Sequence, residues 1–264
     1  MHFDRLSWPQ LARVAPGAVA LLPLAAIEQH GPHLASGTDH AIVSHLAGEL
    51  EAARPDFLVL CPGLPYGSSH HHLAFGATIS LPAALYSEVV VALAESLLAA
   101  GFRRILLLNG HGGNMVPVRQ ALAALSHAHS GDTAPPLVAL ATYWEVAGKA
   151  FAGEPPMQTP ALSHACEYET SMMLHIFPER VDLAQAGRAR RPPASGWIPW
   201  EDEHPGRGIV MAWPTHRISS SGGSGDPRLA TAEKGRHLLS AARSAFLTFL
   251  DDFRNWPFPE DLRP

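Results

Sequence analysis

The run Arg104-Ile105-Leu106-Leu107-Leu108 constrains this chain most. It is short and continuously apolar, with no turn residue inside it. A strand buried on both faces reads this way, and such strands belong to parallel sheets covered by helices on each side. A second apolar run, Ala18-Val19-Ala20-Leu21-Leu22-Pro23-Leu24, lies upstream, and residues 57–61 and 137–142 read as further strands. A short strand is also predicted over 77–81. Helices are predicted over 6–13, 41–53, 86–100, 116–128, 164–175 and 230–253, with Gly101 as the stop of the third. Strands alternating with helices imply an α/β fold: a layered sandwich with a mainly parallel central sheet and helices on both faces. The length of 264 residues suits one large α/β domain or two small ones. No internal repeat and no convincing linker divides the chain, so residues 1–264 are read as a single domain.

Composition removes several classes of function. Net charge is −5, so no basic surface awaits a nucleic acid. No apolar run approaches the roughly 20 residues needed to span a bilayer. Met1-His2-Phe3-Asp4-Arg5-Leu6 lacks the basic-then-apolar pattern of a signal peptide. Two cysteines, Cys61 and Cys166, give no disulfide framework and suit a reducing cytoplasm. The expected location is therefore cytoplasmic, with no membrane partner.

The chemistry gathers where the strands end. After the first strand come Glu28-Gln29-His30-Gly31-Pro32-His33 and then Thr38-Asp39-His40. Carboxylates mixed with imidazoles suit zinc, manganese or iron better than calcium. A solvated polar loop, with Gly31 and Pro32 as turn formers, would use the same residues. The 104–108 strand runs straight into Asn109-Gly110-His111-Gly112-Gly113-Asn114. Its glycines let backbone approach a metal or substrate closely, while a lone His in such a turn more often bonds a carbonyl. A phosphate cradle would need Lys and Ser/Thr after the glycines, and Asn114-Met115 supplies neither. The strand over 137–142 leads to Trp144. In a parallel sheet these ends share one edge, so residues distant in sequence converge there. The 164–175 helix adds Glu167 and Glu169. Two helical positions two apart diverge by roughly 200°, so only one of them can face the site.

These motifs together resemble the creatininase (creatinine amidohydrolase) family. Leu22-Pro23-Leu24, Glu28 to Leu34 and Gly37-Thr38-Asp39 resemble its signature. Asn109 to Asn114 resembles its second motif, and His164-Ala165-Cys166-Glu167-Tyr168-Glu169-Thr170-Ser171 its third. Gly225-Asp226-Pro227 and the 230–235 segment resemble its C-terminal part. The resemblance implies a layered α/β fold, two divalent metal ions (Zn or Mn, with Fe as a third choice) and a homo-oligomer, often a hexamer.

Carried over residue by residue, the resemblance makes Glu28, Asp39 and His111 ligands of one metal. His30 and Asp39 would hold the other, with Asp39 bridging. Creatinine-cleaving members place a carboxylate ligand two residues after the second-motif His, where this chain has Gly113. Glu167 is the expected replacement, with Glu169 orienting a neighbour. His164 is the expected general acid, against an even alternative of a helix-start residue bonded to backbone. Trp144, His70, His71 and His72 fall where the family meets its substrate, and the backbone N–H groups of Gly112 and Gly113 would stabilise an oxyanion. Core packing is the commoner role for a lone Trp such as Trp144.

The implied activity is hydrolysis of an amide-type C–N bond in a small molecule, a cyclic amide or formamide, by a metal-bound hydroxide. The first alternative is a metallopeptidase trimming a small peptide. A non-catalytic binding protein of the same fold is weaker, because Glu28, His30, Asp39 and His111 are all retained. Substrate choice is expected in the loops over 70–75 and 191–213.

Overall fold

Four parallel strands organise the computed structural model, which describes residues 1–152, 156–193, 197 and 213–262. They are β1 (Val19–Leu24), β2 (Leu58–Leu60), β3 (Arg104–Asn109) and β4 (Leu137–Thr142), in the order β2-β1-β3-β4. Leu24 stands opposite Asn109, and Asn109 opposite Thr142. Three strands thus stop level with one another, and the loops leaving them start from a single line.

Alternation along each strand sorts its side chains to two faces. Val19, Leu21, Leu58, Leu106 and Leu108 pack on one side against α2 (Thr38–Ala53), α5 (Tyr143–Ala147), α6 (Glu167–Ile176) and α8 (Ala232–Asn255). Ala20, Leu22, Leu24, Val59, Ile105 and Leu107 pack on the other against α1 (Trp8–Val14), α3 (Ala83–Ala99) and α4 (Met115–Ala128). The remaining described α-helix is the short α7 (Thr215–Ile218). Every residue of β1 is buried, as a strand covered on both faces must be. In α8, Leu238, Ala242, Phe246 and Leu250 recur every four residues and are buried, which lays one stripe against the sheet side of the molecule. Thr231 caps that helix by accepting the Lys234 N–H at 3.2 Å. The α/β sandwich with helices on both faces is the observed architecture. Among the described residues no helix is long and apolar enough to cross a membrane.

Three local expectations change. The predicted strand over 77–81 is not one: it makes only isolated bridges, Ile27 to Ile79 and Gly67 to Ser80. Helix α2 starts at Thr38, three residues before the predicted start, so Asp39 sits in its first turn, where a carboxylate is favoured by the helix dipole. Helix α6 starts at Glu167, three residues after the predicted start. The intervening Ala165 has φ 51°, a left-handed conformation unusual for a residue with a side chain.

Candidate metal centre

Asp39 is the hinge of a buried cluster at the level strand ends. Its Oδ1 lies 3.0 Å from His30 Nε2, and its Oδ2 lies 3.1 Å from His111 Nδ1. Glu169 Oε2 stands 3.9 Å from the same His30 nitrogen. Glu28 Oε1 stands 3.3 Å from His111 Nδ1, 3.4 Å from His164 Nδ1 and 3.6 Å from His72 Nε2. β1 delivers Glu28 and His30, β3 delivers His111, α2 delivers Asp39 and α6 delivers Glu169. Ligand atoms of His30, Asp39 and Glu169 fall within 4.8 Å of one another, as do those of Glu28, His71 and His111, and of Glu28, His30 and His164.

The second nitrogen of each central imidazole is already committed. His30 Nδ1 donates to the Glu28 carbonyl at 3.1 Å, which leaves Nε2 to face Asp39. His111 Nε2 meets Ser69 Oγ at 3.1 Å and the Ser68 carbonyl at 3.3 Å, which leaves Nδ1 facing Asp39 and Glu28. Such outer contacts set the tautomer that a metal-ligating histidine needs.

The cluster's electrostatics also fit a cation. Burial pushes the Glu28 carboxyl up, and Asp39 adds to that while His111 and His30 oppose it. Burial lifts Glu169 to about 8. For Asp39 burial is outweighed by His30 and His111, and the carboxyl lies well below its usual range. Burial likewise opposes the charged imidazoles, but the carboxylates lift His30 to about 10 and His111 to about 9, so a metal ion here would take the place of the proton on each facing nitrogen. Burial and neighbouring histidines push His71 down to about 4, His72 to about 2 and His164 well below the ordinary value. Among the described residues, the ion-pair partners of Glu28, Asp39 and Glu169 are all histidines. Both Glu28 oxygens and Asp39 Oδ2 are buried without a hydrogen-bond donor. Orphaned buried carboxylate oxygens are costly unless something charged meets them. The residues therefore fit divalent metal ions.

The profile of the family described as Creatininase: Creatinine amidohydrolase matches residues 4–250. The chain belongs to the creatininase family. A relative in Mycobacterium ulcerans (strain Agy99), mycofactocin precursor peptide peptidase, is 32% identical over 244 residues, spanning 89% of this chain and 81% of that one. The creatinine amidohydrolase of Pseudomonas putida is 29% identical over 254 residues, spanning 89% and 90%. A crystal structure of creatinine amidohydrolase superposes with a TM-score of 0.78 at 25% identity, over 95% of this chain and 96% of that one.

Of the two third-motif glutamates, Glu169 and not Glu167 lies beside the cluster. Glu167 faces away from the cluster. Its Oε1 pairs with Lys234 Nζ at 2.5 Å, and its Oε2 accepts from Thr159 N and Thr159 Oγ1, each at 2.7 Å. The Gln158 N–H adds 3.1 Å contacts to both oxygens. A carboxylate so fully satisfied has nothing left for a metal, which corrects the expectation that Glu167 is a ligand or a catalytic group. Glu169, two residues on and on the other side of α6, is the one beside His30, with its Oε2 also accepting the Ala165 N–H at 2.5 Å. The creatininase position left to Gly113 is filled as well as empty of a side chain: a Cβ there would stand 2.2 Å from the Ser68 carbonyl oxygen and 2.4 Å from His111 Nε2.

The three consecutive histidines split. His70 is exposed and meets Ser80 Oγ at 2.6 Å, outside the cluster. His71 keeps part of its surface exposed, while its ring is covered on one side by His111, stacked with centroids 6.1 Å apart. His72 is buried beside Glu28. His164 joins the cluster, and its Nε2 donates to the Gln29 carbonyl at 2.7 Å, the backbone bond of the alternative reading. His33 points elsewhere, with Nε2 3.0 Å from Thr170 Oγ1, and His40 faces Ser44. Trp144 is half-buried on α5, edge-on to Tyr143 with ring centroids 4.8 Å apart, and packs against the core. Gly112 follows His111 in a 3-10 turn ahead of α4. A cleft of about 260 Å³ opens beside the cluster, lined in part by His30, Gly31, Phe75 and Ser221. A larger cleft of about 360 Å³ is lined by α3 and α4 alone and carries no ligand set. Most of the predicted substrate loop over 191–213 lies outside the described residues.

Four structural supports escaped the sequence reading. Asn109 clamps the His111 loop, donating to the His111 carbonyl at 2.8 Å and accepting the His111 N–H at 3.2 Å. Asn114 ties two other loops, accepting the Ser68 N–H and donating to the Ala25 carbonyl, both at 3.0 Å. Ser69 fixes His111, and Gln29 sits between His72 and His164. Asparagines in the second motif are visible in the sequence; which loops they join is not.

Proposed function

We propose that this chain is a metal-dependent amidohydrolase that cleaves an amide-type C–N bond of a small molecule, such as a cyclic amide or formamide. The observation that carries this reading is the division of Asp39, one oxygen toward His30 and the other toward His111. Glu28, Asp39 and His111 would hold one divalent ion, and His30, Asp39 and Glu169 a second. Mixed carboxylate and imidazole donors suit zinc, manganese or iron. Such ions, when bound, acidify a shared water and polarise the scissile carbonyl. The protein's own part is orientation and proton handling. Ser69 and the Glu28 carbonyl hold His111 and His30 in their ligating tautomers. His164, with a fifth of its side chain exposed, would take up a proton at Nδ1, the nitrogen that faces Glu28, and pass it to the leaving nitrogen. His71 and the N–H groups of Gly112 and Gly113 line the substrate side.

A second reading, hydrolysis of a short peptide, is supported by the 32% identity to the Mycobacterium ulcerans peptidase. The deciding experiment loads the protein with Zn or Mn and assays creatinine, N-formyl compounds and short peptides by mass spectrometry. Metal-dependent turnover of a cyclic amide or formamide is the expected result. Turnover of peptides alone establishes the second reading. No turnover, with no stoichiometric Zn, Mn or Fe after dialysis, overturns both.

A further inference from the structure

Gln29 separates the two residues proposed as ligands on β1's loop, yet its side chain touches neither partner carboxylate. It is buried, with its amide enclosed by backbone on one side and two histidines on the other. Its Oε1 accepts the Gly31 N–H at 2.9 Å. Its Nε2 donates to the Gly222 carbonyl at 3.0 Å. These backbone groups have fixed polarity. Turning the amide over would set two donors together at Gly31 and two acceptors together at Gly222, so the amide has one allowed orientation.

That orientation decides the histidines. The Nε2 of Gln29 has two hydrogens, and Gly222 takes one. The other points to His72 Nδ1, 2.6 Å away, which must therefore be the lone-pair nitrogen. Neutral His72 then carries its hydrogen on Nε2, the atom facing Glu28 Oε1 at 3.6 Å. His164 Nε2 lies 2.7 Å from the Gln29 backbone carbonyl, which can only accept. Neutral His164 is therefore protonated at Nε2, and its Nδ1 lone pair faces Glu28 Oε1 at 3.4 Å. The 3.0 Å contact between Gln29 Nε2 and His164 Nε2 is two donors in proximity and carries no bond.

We infer that Gln29 is a positioning residue: through its side chain and its carbonyl it fixes opposite faces of two histidines, so that His72 turns its N–H side toward Glu28, beyond hydrogen-bond length, while His164 turns a lone pair toward the centre. The inference rests on the proposed metal-dependent reaction for its catalytic meaning, but the tautomers themselves do not. Gly222 belongs to the device. It has φ 85°, and a Cβ on it would stand 2.1 Å from Gln29 Oε1. The segment around residue 222 is thereby keyed to the amide, 193 residues away in sequence.

The test is ¹⁵N NMR on zinc-loaded protein labelled at the histidine rings, with His72→Asn and His164→Asn used only for assignment. The expected result is protonation at Nε2 for both His72 and His164. In Gln29→Leu, which keeps the bulk and removes the amide, His72 loses its single tautomer while His164, held by backbone, keeps its own. Metal content is retained and kcat falls on the order of 10–100-fold, the range for lost outer-shell partners. Protonation of His72 at Nδ1, or of His164 at Nδ1, in the unaltered protein overturns the inference even if Gln29→Leu fails to fold. So does a folded Gln29→Leu with both tautomers and kcat unchanged. Absence of any hydrolytic activity alongside the expected tautomers would fault the proposed reaction and leave the assignment standing.

Discussion

A Cβ on Gly113 would stand 2.4 Å from His111 Nε2, the nitrogen that Ser69 holds. Gly113→Ala must therefore move the His111 ring or the Ser68 backbone, and either displaces Nδ1 from Asp39 and Glu28. Overpacking of this kind costs roughly 1–3 kcal/mol. The variant should melt several degrees lower, at about 2–4 °C per kcal/mol, and bind less metal. Calorimetry with elemental analysis measures both; full metal content at an unchanged Tm would contradict the packing described.

Asp39→Ala should release both metal ions, whereas His30→Ala should release mainly one. The reason is that Asp39 alone presents a separate oxygen to each histidine. Metal-to-protein ratios after dialysis report this directly. Equal loss in both variants would mean that the two ions bind as one cooperative unit.

The glutamates of α6 should behave as opposites. Glu169→Gln should lower occupancy of the second metal with the fold intact. Glu167→Gln should strand Lys234, itself buried, and breaking a buried pair costs about 3–5 kcal/mol. Replacing both partners with apolar residues, Glu167→Leu with Lys234→Met, should recover much of that loss. Denaturant titration of the three variants is the measurement.

Chelation should lower Tm, and Zn or Mn should restore it. A ligand held at 100 times its Kd stabilises by about 2.7 kcal/mol. The shift should vanish in Asp39→Ala. A shift of equal size in that variant would place the stabilising ion elsewhere.

The strands β1 and β3 were legible because short apolar runs, mostly Leu, leave no exposed face to confuse the period. The convergence of Glu28, His30, Asp39 and His111 followed from strands that end on one edge. Residues 77–81 misled because their bridges are single and a ladder cannot be told from one by composition. Tyr143 and Trp144 favour strands by propensity, yet core packing on α5 holds them in a helical turn. The choice between Glu167 and Glu169 was not available locally. Helix phase says that the two diverge, but which one turns inward is decided by Lys234, 67 residues away on α8. Gln29 was hidden for the same reason, since its amide means nothing until Gly222 arrives.

The proposed ligands lie between residues 28 and 169, but the wall behind them does not. Lys234 and the Leu238, Ala242, Phe246 and Leu250 stripe of α8 complete that face. On the ribosome, a nascent chain that has already exposed Glu28, His30, Asp39, His111 and Glu169 still lacks the helix that neutralises Glu167 and seats α6. The proposed site is consequently walled on this side only once α8 has packed against α6.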